Sequence, residues 1–594
     1  MRFPHDFIRY AVEVKPPTRQ VLDVLLRKFL TNIHLPPPNS AALLSAYRDL
    51  LAEGAVEKQE WLERMLIKRA VRTLSGVAPI HVMTAPLGCP ANCLYCPNEP
   101  GMPKSYLSNQ PGSMRAILND FDPFKQVTMR LRALYMNGHH PEKIELIENG
   151  GTWTALPRRY RIWFMTRCYE AANAFNPATM KKTTDFVAPK DAHLKVLNRL
   201  QQQGDHLKNG ELRLQDDDET DLLPALFAAQ CLNETASYLI IGVTVETRPD
   251  WLADDEIKHL RDIGCTKVEL GVQSIDETVL KFNNRGHDVQ TVIDTTRRLR
   301  DTGFKVAYHM MPGMFKATPD EDVAMFKRLF DDPVFKPDFL KVYPCVVVKD
   351  APLYKLWERG DFVPYEASTL LDTLVRIKET FPRYCRVARL VRDIPSESVS
   401  GGNKITNLRE MVQAEMKKRG LACQCIRCRE ISREARLEDL KFNDAAYDTD
   451  NGTEHFLSLD SSNPVIPAQA GIPSSQAGDR LYAFLRLRLP NTENALIAST
   501  FPELKGCALI REIHTYGKLA RLSQSSTDSA RAVPAPKAAT AQHTGLGKQL
   551  MAAAEDLAAK NGFKKIAVIS GIGTREYYRK LGYKLEGTYM VKTL

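Results

Sequence analysis

From residue 76 to residue 400 the sequence alternates short apolar runs with longer helical ones, and this alternation limits the fold more than any other feature. The candidate strands are APIHVMTA (78–85), KIELIE (143–148), LIIGVTVET (239–247), KVELGVQS (267–274), KVAYHMM (305–311) and FLKVYPCVV (339–347). Each runs into a loop and then a helix-like stretch such as DEIKHLRDIG or DVQTVIDTTRRLRDTG. Repeated strand–loop–helix units with apolar strands predict an α/β fold with a parallel sheet, open or closed into a barrel. In barrels of this kind the chemistry gathers at the C-terminal strand ends.

The flanking regions differ. Residues 1–75 read as a basic helical region, with apolar residues at three-to-four spacing and Lys and Arg between them. This suits an amphipathic cap, a nucleic-acid-binding arm, or both. A polar stretch over 180–235 reads as an insertion or exposed helical excursion. Residues 401–457 form a basic connector with a cysteine cluster, and 458–480 a flexible excursion rich in Pro, Ser, Ala and Gly. Residues 481–594 read as a small α+β domain, interrupted by a second excursion over 521–540.

Length and composition narrow the functional classes. At 594 residues the chain exceeds one core. Its 44% hydrophobic and 26% charged residues exclude wholesale disorder, and no run approaches the ~18 apolar residues of a membrane span. The N-terminal residues MRFPHDFIRYAVEV carry charges throughout and no apolar core of a secretory signal, so a cytoplasmic location is expected. A net charge of +10 is compatible with a polyanionic partner. The 12 cysteines are then expected as thiols or metal ligands.

GCPANCLYCPNEP places Cys89, Cys93 and Cys96 at C-x3-C-x2-C spacing after the first candidate strand. Three close thiolates suit a cubane iron–sulfur cluster and leave one iron of a [4Fe–4S] unit open to a ligand. Structural zinc prefers four protein ligands. After the second strand comes Gly150-Gly151-Thr152, where glycine permits close backbone approach to a ligand. Polar residues also end other strands: Glu246, Thr247, Arg248, Gln273, Ser274 and His309. Charges at apolar strand ends are costly unless solvated or bound. Near the C-terminus, Gln542 to Gly547 opens the amphipathic stretch LGKQLMAAAEDLAAK with a Q-x-x-G-x-G loop. Such a loop turns backbone N–H groups toward an anion. Downstream, YYRKLGY resembles motif B of the GNAT acetyltransferases, which implies Tyr577 and Tyr578 as catalytic candidates, with packing at a helix–sheet seam as the alternative.

The cysteine motif and glycine pair resemble the radical S-adenosylmethionine (SAM) superfamily, and the glycine loop with YYRKLGY resembles the GNAT acetyltransferases. With SMRA (113–116), NRGH (284–287), RDIP (392–395), NLRE (407–410) and REIHTYG, their order is similar to the family of the Elongator catalytic subunit and its free-standing prokaryotic relatives. The resemblance implies a partial (β/α) radical SAM barrel followed by a GNAT-like domain. It implies a [4Fe–4S] cluster on Cys89, Cys93 and Cys96, with SAM on its open iron near Gly150, Gly151, Thr152, Glu246, Arg248 and Gln273. It implies acetyl-CoA at Lys143, Glu512, Ile513, His514, Thr515, Gln542, Gly545, Leu546, Gly547, Lys548 and Tyr578. The implied activity is carboxymethylation at C5 of the wobble uridine, U34, in the tRNA anticodon loop. A 5′-deoxyadenosyl radical abstracts hydrogen from the acetyl methyl group, the carbon radical adds to the base, and thioester hydrolysis releases CoA.

Basic N-terminal helices with Arg115, Arg285, Arg386, Arg389 and Arg392 are the candidate phosphate contacts. A zinc site of Cys345, Cys423, Cys425 and Cys428 is weighed against unliganded thiols. Two other functions compete: a protein lysine acetyltransferase with a structural cluster, and a non-enzymatic tRNA-binding scaffold.

Overall fold

The computed structural model describes residues 3–31, 37–68, 73, 76–179, 221–431, 440–461, 479–492, 495–516 and 545–594. The alternating region yields β1 (Val77–Met83), β2 (Lys143–Asn149), β3 (Leu239–Thr247), β4 (Cys265–Gln273), β5 (Lys305–Met310) and β6 (Phe339–Val342). They are followed by β7 (Val347–Val348), β8 (Arg386–Arg389) and β9 (Val399–Gly401). Strands β1 to β6 and β8 form one seven-stranded sheet in that order, every pair parallel. β1 and β8 are its two edges, so the barrel is partial. The helices between strands bury one face; Val289–Asp301 buries Val289, Val292 and Leu299 beneath an Asp288 N-cap.

Three sequence expectations are corrected here. The run 339–347 is not one strand: the chain leaves the sheet after Val342, and Val347–Val348 pairs with β9 instead. Pro344 explains the break, because it has no N–H for a central ladder. The sheet also gains β8, from the short RVAR, which carries too little apolar pattern to be read as a strand. The insertion at 180–235 is partly barrel: residues 180–220 lie outside the described residues, but helix Leu223–Asn233 packs on helix Arg158–Ala174. There Asn233 donates to Asn173 Oδ1 at 2.7 Å and accepts from Ile240 N at 2.8 Å.

The N-terminal helices Phe3–Val14, Arg19–Leu30, Ser40–Ala52 and Glu60–Leu66 enclose an apolar cluster of their own. They meet the barrel domain through Arg48, which donates to Tyr135 O at 3.0 Å and lies over the Tyr135 ring. Among the described residues no helix is long and apolar enough to cross a membrane.

A second seven-stranded sheet comprises β10 (Lys441–Thr449), β11 (Gly452–Ser461), β12 (Arg480–Pro490), β13 (Cys507–Thr515), β14 (Lys565–Val568), β15 (Lys584–Glu586) and β16 (Tyr589–Thr593), in the order β10-β11-β12-β13-β14-β16-β15. The boundaries drawn at 457 and 480 therefore fall inside one domain. β10 escaped detection because it is a largely exposed edge strand with little apolar alternation. The rest of the first excursion (462–478) and all of the second lie outside the described residues.

The two sheets are joined through buried charge. Arg486, Arg488 and Arg511 of the C-terminal sheet are at most 1% exposed. Arg511 donates to Asp338 Oδ1 at 3.1 Å, to Phe304 O at 2.7 Å and to Glu454 Oε2 at 2.9 Å. Arg486 donates to Tyr384 O at 2.7 Å and to Glu512 at 2.8 Å. Arg488 pairs with Asp301 and with Glu454 at 3.1 Å. Gly571 comes so close to β3 that a Cβ there would lie 2.0 Å from Ile241 O. The C-terminal domain therefore docks at the N-terminal rim of the barrel, opposite the rim where its strands end.

Removing one member of a buried ionic network costs about 3–5 kcal/mol, because its partners stay buried and uncompensated. Burial alone would raise the Asp338 carboxyl, but Arg511 and Arg486 reverse this and hold it below the usual carboxylate range. A depressed carboxyl stabilises the fold above its unfolded pKa, and that contribution is lost as pH falls through the folded value. Asp338→Asn is thus expected to lower the thermal unfolding temperature at pH 7, and the gap to the unmodified protein is expected to narrow as pH drops below 4. Melting curves across that range check both.

Candidate active site

β1 delivers the chain into the cysteine loop at the C-terminal rim of the barrel. Leu94 N donates to Asn283 O at 3.1 Å, and Leu94 O accepts from Leu353 N at 2.8 Å, pinning the loop from two sides. Cys93 is buried, while Cys89 and Cys96 are half-buried. Burial, with Cys93 alongside, pushes the Cys96 thiol up to about 11. The glycine loop after β2 packs on this loop: Thr152 Oγ1 lies 3.4 Å from Cys89 Sγ. A Cβ on Gly150 would sit 1.8 Å from Thr84 Oγ1 and 3.1 Å from Glu148 Oε1. Both atoms are buried without a hydrogen-bond partner. Burial and the nearby Glu246 push the Glu148 carboxyl well above the usual carboxylate range. Three thiols at one strand end, a glycine that admits no side chain and two orphaned polar atoms fit an iron–sulfur cluster with a small polar ligand beside it.

The barrel lumen is charged. Glu246 accepts from Tyr106 Oη at 2.8 Å, Asn149 Nδ2 at 3.0 Å and Lys341 Nζ at 3.2 Å. Glu269 is paired with Lys341 and meets His309 Nε2 at 2.9 Å. Nearer the other rim, Lys267 donates to Glu145 at 2.7 Å. Burial would raise Glu145, but Lys267 brings it down to about 2. His81 donates from Nδ1 to Asn149 Oδ1 at 2.7 Å, and burial lowers it to about 4, so it is neutral. Glu269 and Lys341 were missed in the sequence. Their signal was a lone charge inside an apolar strand, as in KVELG and FLKVY.

The other strand-end candidates separate. Gln273 closes β4 with φ of 71°, and its carbonyl accepts from Met311 N at 2.8 Å. Ser274 caps the turn before Asp276 (3.1 Å) and takes a structural place. Thr247 bonds Thr154 at 2.6 Å. Arg248 forms a fork with Asp250 and points at Cys93. Of the arginines read as phosphate contacts, two are corrected. Arg285 is 5% exposed and donates to Gly271 O at 3.1 Å, and Arg386 pairs with Glu430 at 2.6 Å and Tyr516 at 2.8 Å. Arg389 pairs with Asp393, Arg392 reaches Ser105 Oγ at 2.9 Å, and Arg115 is exposed.

In the C-terminal sheet, β13 and β14 run parallel and pair only from Cys507 to Ile510 with Lys565 to Val568. β13 continues to Thr515, so Arg511 to Thr515 lie beyond the β14 ladder and, among the described residues, border a gap. Helix Leu546–Lys560 begins at this gap after Gly545, whose φ of 83° suits glycine. A Cβ on Gly547 would meet Tyr577 Oη at 3.2 Å, Ile513 Cδ1 at 3.8 Å and Thr515 Oγ1 at 3.9 Å. Four candidates are thus brought together. Tyr578 is 5% exposed and lies edge-on to Tyr577 and Tyr583, at 5.1 and 6.0 Å between ring centroids. Lys548 is exposed, Leu546 is buried, and Gln542 lies outside the described residues. His514 Nε2 is buried without a partner, beside Tyr516 at 4.3 Å, and burial lowers its pKa. The Glu512 side chain is taken by Arg486. Lys143 starts β2 on the barrel rim facing this domain, and burial lowers it. A helix N-terminus, a strand end that extends past the β14 ladder and an orphaned imidazole nitrogen suit an anionic, amide-bearing ligand such as acetyl-CoA.

The sulfurs of Cys423, Cys425 and Cys428 lie within 4.8 Å of one another. Hydrogen bonds from Cys423 and Cys425, helped by Lys378 and Arg409, lower the Cys428 thiol. Cys345 does not join them. It is buried in a separate apolar cluster with Met314, Val347 and Phe362, which corrects the four-cysteine set.

The chain matches the Radical SAM superfamily over residues 190–329, the Radical SAM C-terminal domain over 337–418 and the Acetyltransferase (GNAT) family over 538–583. Fold and site thus define a radical SAM enzyme with an acetyltransferase domain, of acyltransferase type. A protein named tRNA uridine(34) acetyltransferase, from Methanocaldococcus jannaschii, is 35% identical over 92% of this chain and 90% of its own. One of the same name from Dehalococcoides mccartyi is 35% identical over 89% of this chain and 100% of its own. Elongator complex protein 3 of Homo sapiens is 34% identical over 92% and 89%. The solved archaeal Methanocaldococcus infernus Elp3 lacking its N-terminus superposes with a TM-score of 0.65, at 34% identity, over 88% of this chain and 100% of that one. The chain belongs to the family of the tRNA uridine(34) acetyltransferases and Elongator complex protein 3.

Because a Cβ at Gly150 collides with Thr84, Gly150→Ala must move the loop. Overpacking of this kind costs about 1–3 kcal/mol. SAM affinity of the iron-reconstituted protein, measured by equilibrium dialysis, is expected to fall about tenfold or more. Gly545→Ala strains a left-handed backbone position in the C-terminal domain, away from the cysteine loop, and is expected to leave SAM affinity unchanged.

Proposed function

We propose that this enzyme carboxymethylates C5 of uridine 34 in tRNA, with acetyl-CoA as the carbon source. One arrangement carries the reading: a single rigid barrel has the cysteine loop at one rim and the β13–β14 gap docked on the other. A [4Fe–4S] cluster on Cys89, Cys93 and Cys96 would supply one electron to SAM, whose cleavage yields methionine and a 5′-deoxyadenosyl radical. The chain's own residues supply the rest. Gly150 and Gly151 let backbone approach the methionine end of SAM. Glu246, fixed by Tyr106, Asn149 and Lys341, is an acceptor ready for a ribose hydroxyl. Gly547, Thr515 and Tyr577 receive the pantetheine end of acetyl-CoA, with the Tyr577 hydroxyl beside the helix start. His514 offers an unpartnered imidazole nitrogen to the same ligand. Cys423, Cys425 and Cys428 would supply three ligands to a structural zinc ion.

The tRNA substrate suits a net charge of +10 and the exposed basic residues of the N-terminal helices. C5 of an anticodon uridine is reachable only when the base is splayed from the loop. A cytoplasmic location accords with a tRNA substrate.

Anaerobic incubation of reconstituted protein with SAM, dithionite, acetyl-CoA and tRNA is expected to give 5′-deoxyadenosine and carboxymethyluridine in the digested tRNA. Acetylated lysine formed without SAM would instead establish a protein acetyltransferase, and tRNA binding with neither product a scaffold. Cys93→Ser is expected to reduce SAM cleavage at least a thousandfold while leaving tRNA affinity, read by gel shift, within twofold.

A further inference from the structure

Two guanidinium groups converge on one sulfur. Arg285 Nη1 lies 3.5 Å and Arg248 Nη1 3.9 Å from Cys93 Sγ. Both arginines are 5% exposed and Cys93 is 4% exposed. Neither arginine is free to swing. Arg285 donates from Nε to Gly271 O at 3.1 Å and again from Nη2. Arg248 grips Asp250 through Nε at 2.9 Å and Nη2 at 2.6 Å. Two missing side chains make the room: a Cβ at Gly271 would lie 2.7 Å from Arg285 Nη2, and one at Gly286 3.0 Å from Arg248 Nη2. The segment bearing Arg285 is also tied to the cysteine loop through Asn283 O and Leu94 N. His287 nearby has a fully buried side chain and adds no charge; burial and Arg285 push it down to about 3. Two cations against the single carboxylate of Asp250 leave a net positive charge at Cys93.

We propose that Arg248 and Arg285 are positioning residues that raise the reduction potential of the cluster held through Cys93. This rests on the reading that Cys89, Cys93 and Cys96 ligate a [4Fe–4S] cluster. Reduction adds one electron, from a ferredoxin- or flavodoxin-class donor, and takes the cluster from the 2+ to the 1+ state with no bond or proton exchanged. N–H···S hydrogen bonds and nearby positive charge favour the more negative state, and burial strengthens the effect. The glycines of LGVQS and NRGH are then spacers for the two guanidinium groups.

The test is a redox titration of the full-length, anaerobically reconstituted protein without SAM, followed by the electron paramagnetic resonance signal of the reduced cluster. Arg285→Gln and Arg248→Gln are each expected to lower the potential by at least a tenfold change in the one-electron equilibrium, about 59 mV. Arg285→Lys, which keeps the charge but loses the fork, is expected to shift it less. Unchanged potentials at full iron content, with SAM affinity reduced, would overturn the proposal and assign the arginines to the SAM carboxylate. If Arg285→Gln fails to take up iron, Arg248→Gln and Arg285→Lys decide by the same criterion. A wild-type protein that forms no [4Fe–4S] cluster would refute the cluster reading itself, a result distinct from an unmoved potential.

Discussion

The ionic network of Arg486, Arg488 and Arg511 with Asp301, Asp338 and Glu454 is the constraint on which the arrangement of the molecule depends. Each arginine arises from the C-terminal sheet, and Asp301 and Asp338 belong to the barrel. Desolvating this many charges is expensive, and a network of this kind is a poor source of net stability. What it supplies is direction. Arg511 reaches Phe304 O and Arg486 reaches Tyr384 O, so the guanidinium groups also satisfy barrel carbonyls that an apolar seam would leave unpaired. The domains can then meet in one orientation, with Glu512 to Thr515 presented to the barrel rim where Lys143 lies.

The same economy of charge runs through the barrel. In the lumen, carboxylates and cations alternate from Glu145 through Lys267 and Glu269 to Lys341 and Glu246, so each buried charge has an opposite neighbour. At the cysteine loop the balance is broken, with two arginines facing a sulfur. The surplus of positive charge, two guanidinium groups against the one carboxylate of Asp250, marks the loop as a place where further negative charge is to be accommodated.

Much of this was legible in the sequence. The strand–helix alternation is a local pattern and predicted β1 to β5 closely. The C-x3-C-x2-C spacing, the glycine pair and the glycines of the Q-x-x-G-x-G loop pointed to the two places where the structure gathers candidate side chains, Gln542 to Thr544 lying outside the described residues. What stayed hidden depends on contacts distant along the chain. LRLRL reads as a strand with one wet face, yet its arginines are buried because a second domain covers that face. Arg285 and Arg386 look like surface cations until a sulfur and a carboxylate fold around them. β10 is held by pairing with β11 and has no apolar pattern of its own. Tyr577 and Tyr578 are adjacent and chemically alike; only the local helix decides that the first meets Gly547.

The partial barrel also acts as a spacer. Its longer strands have seven to nine residues, which sets the two rims about 20–30 Å apart along the strands. On the proposed function, acetyl-CoA at one rim and the target base at the other would be separated by this span. Glu145, Lys267 and Glu269 occupy the interval between the two rims as paired charges, so the barrel holds its two ends apart with a filled interior.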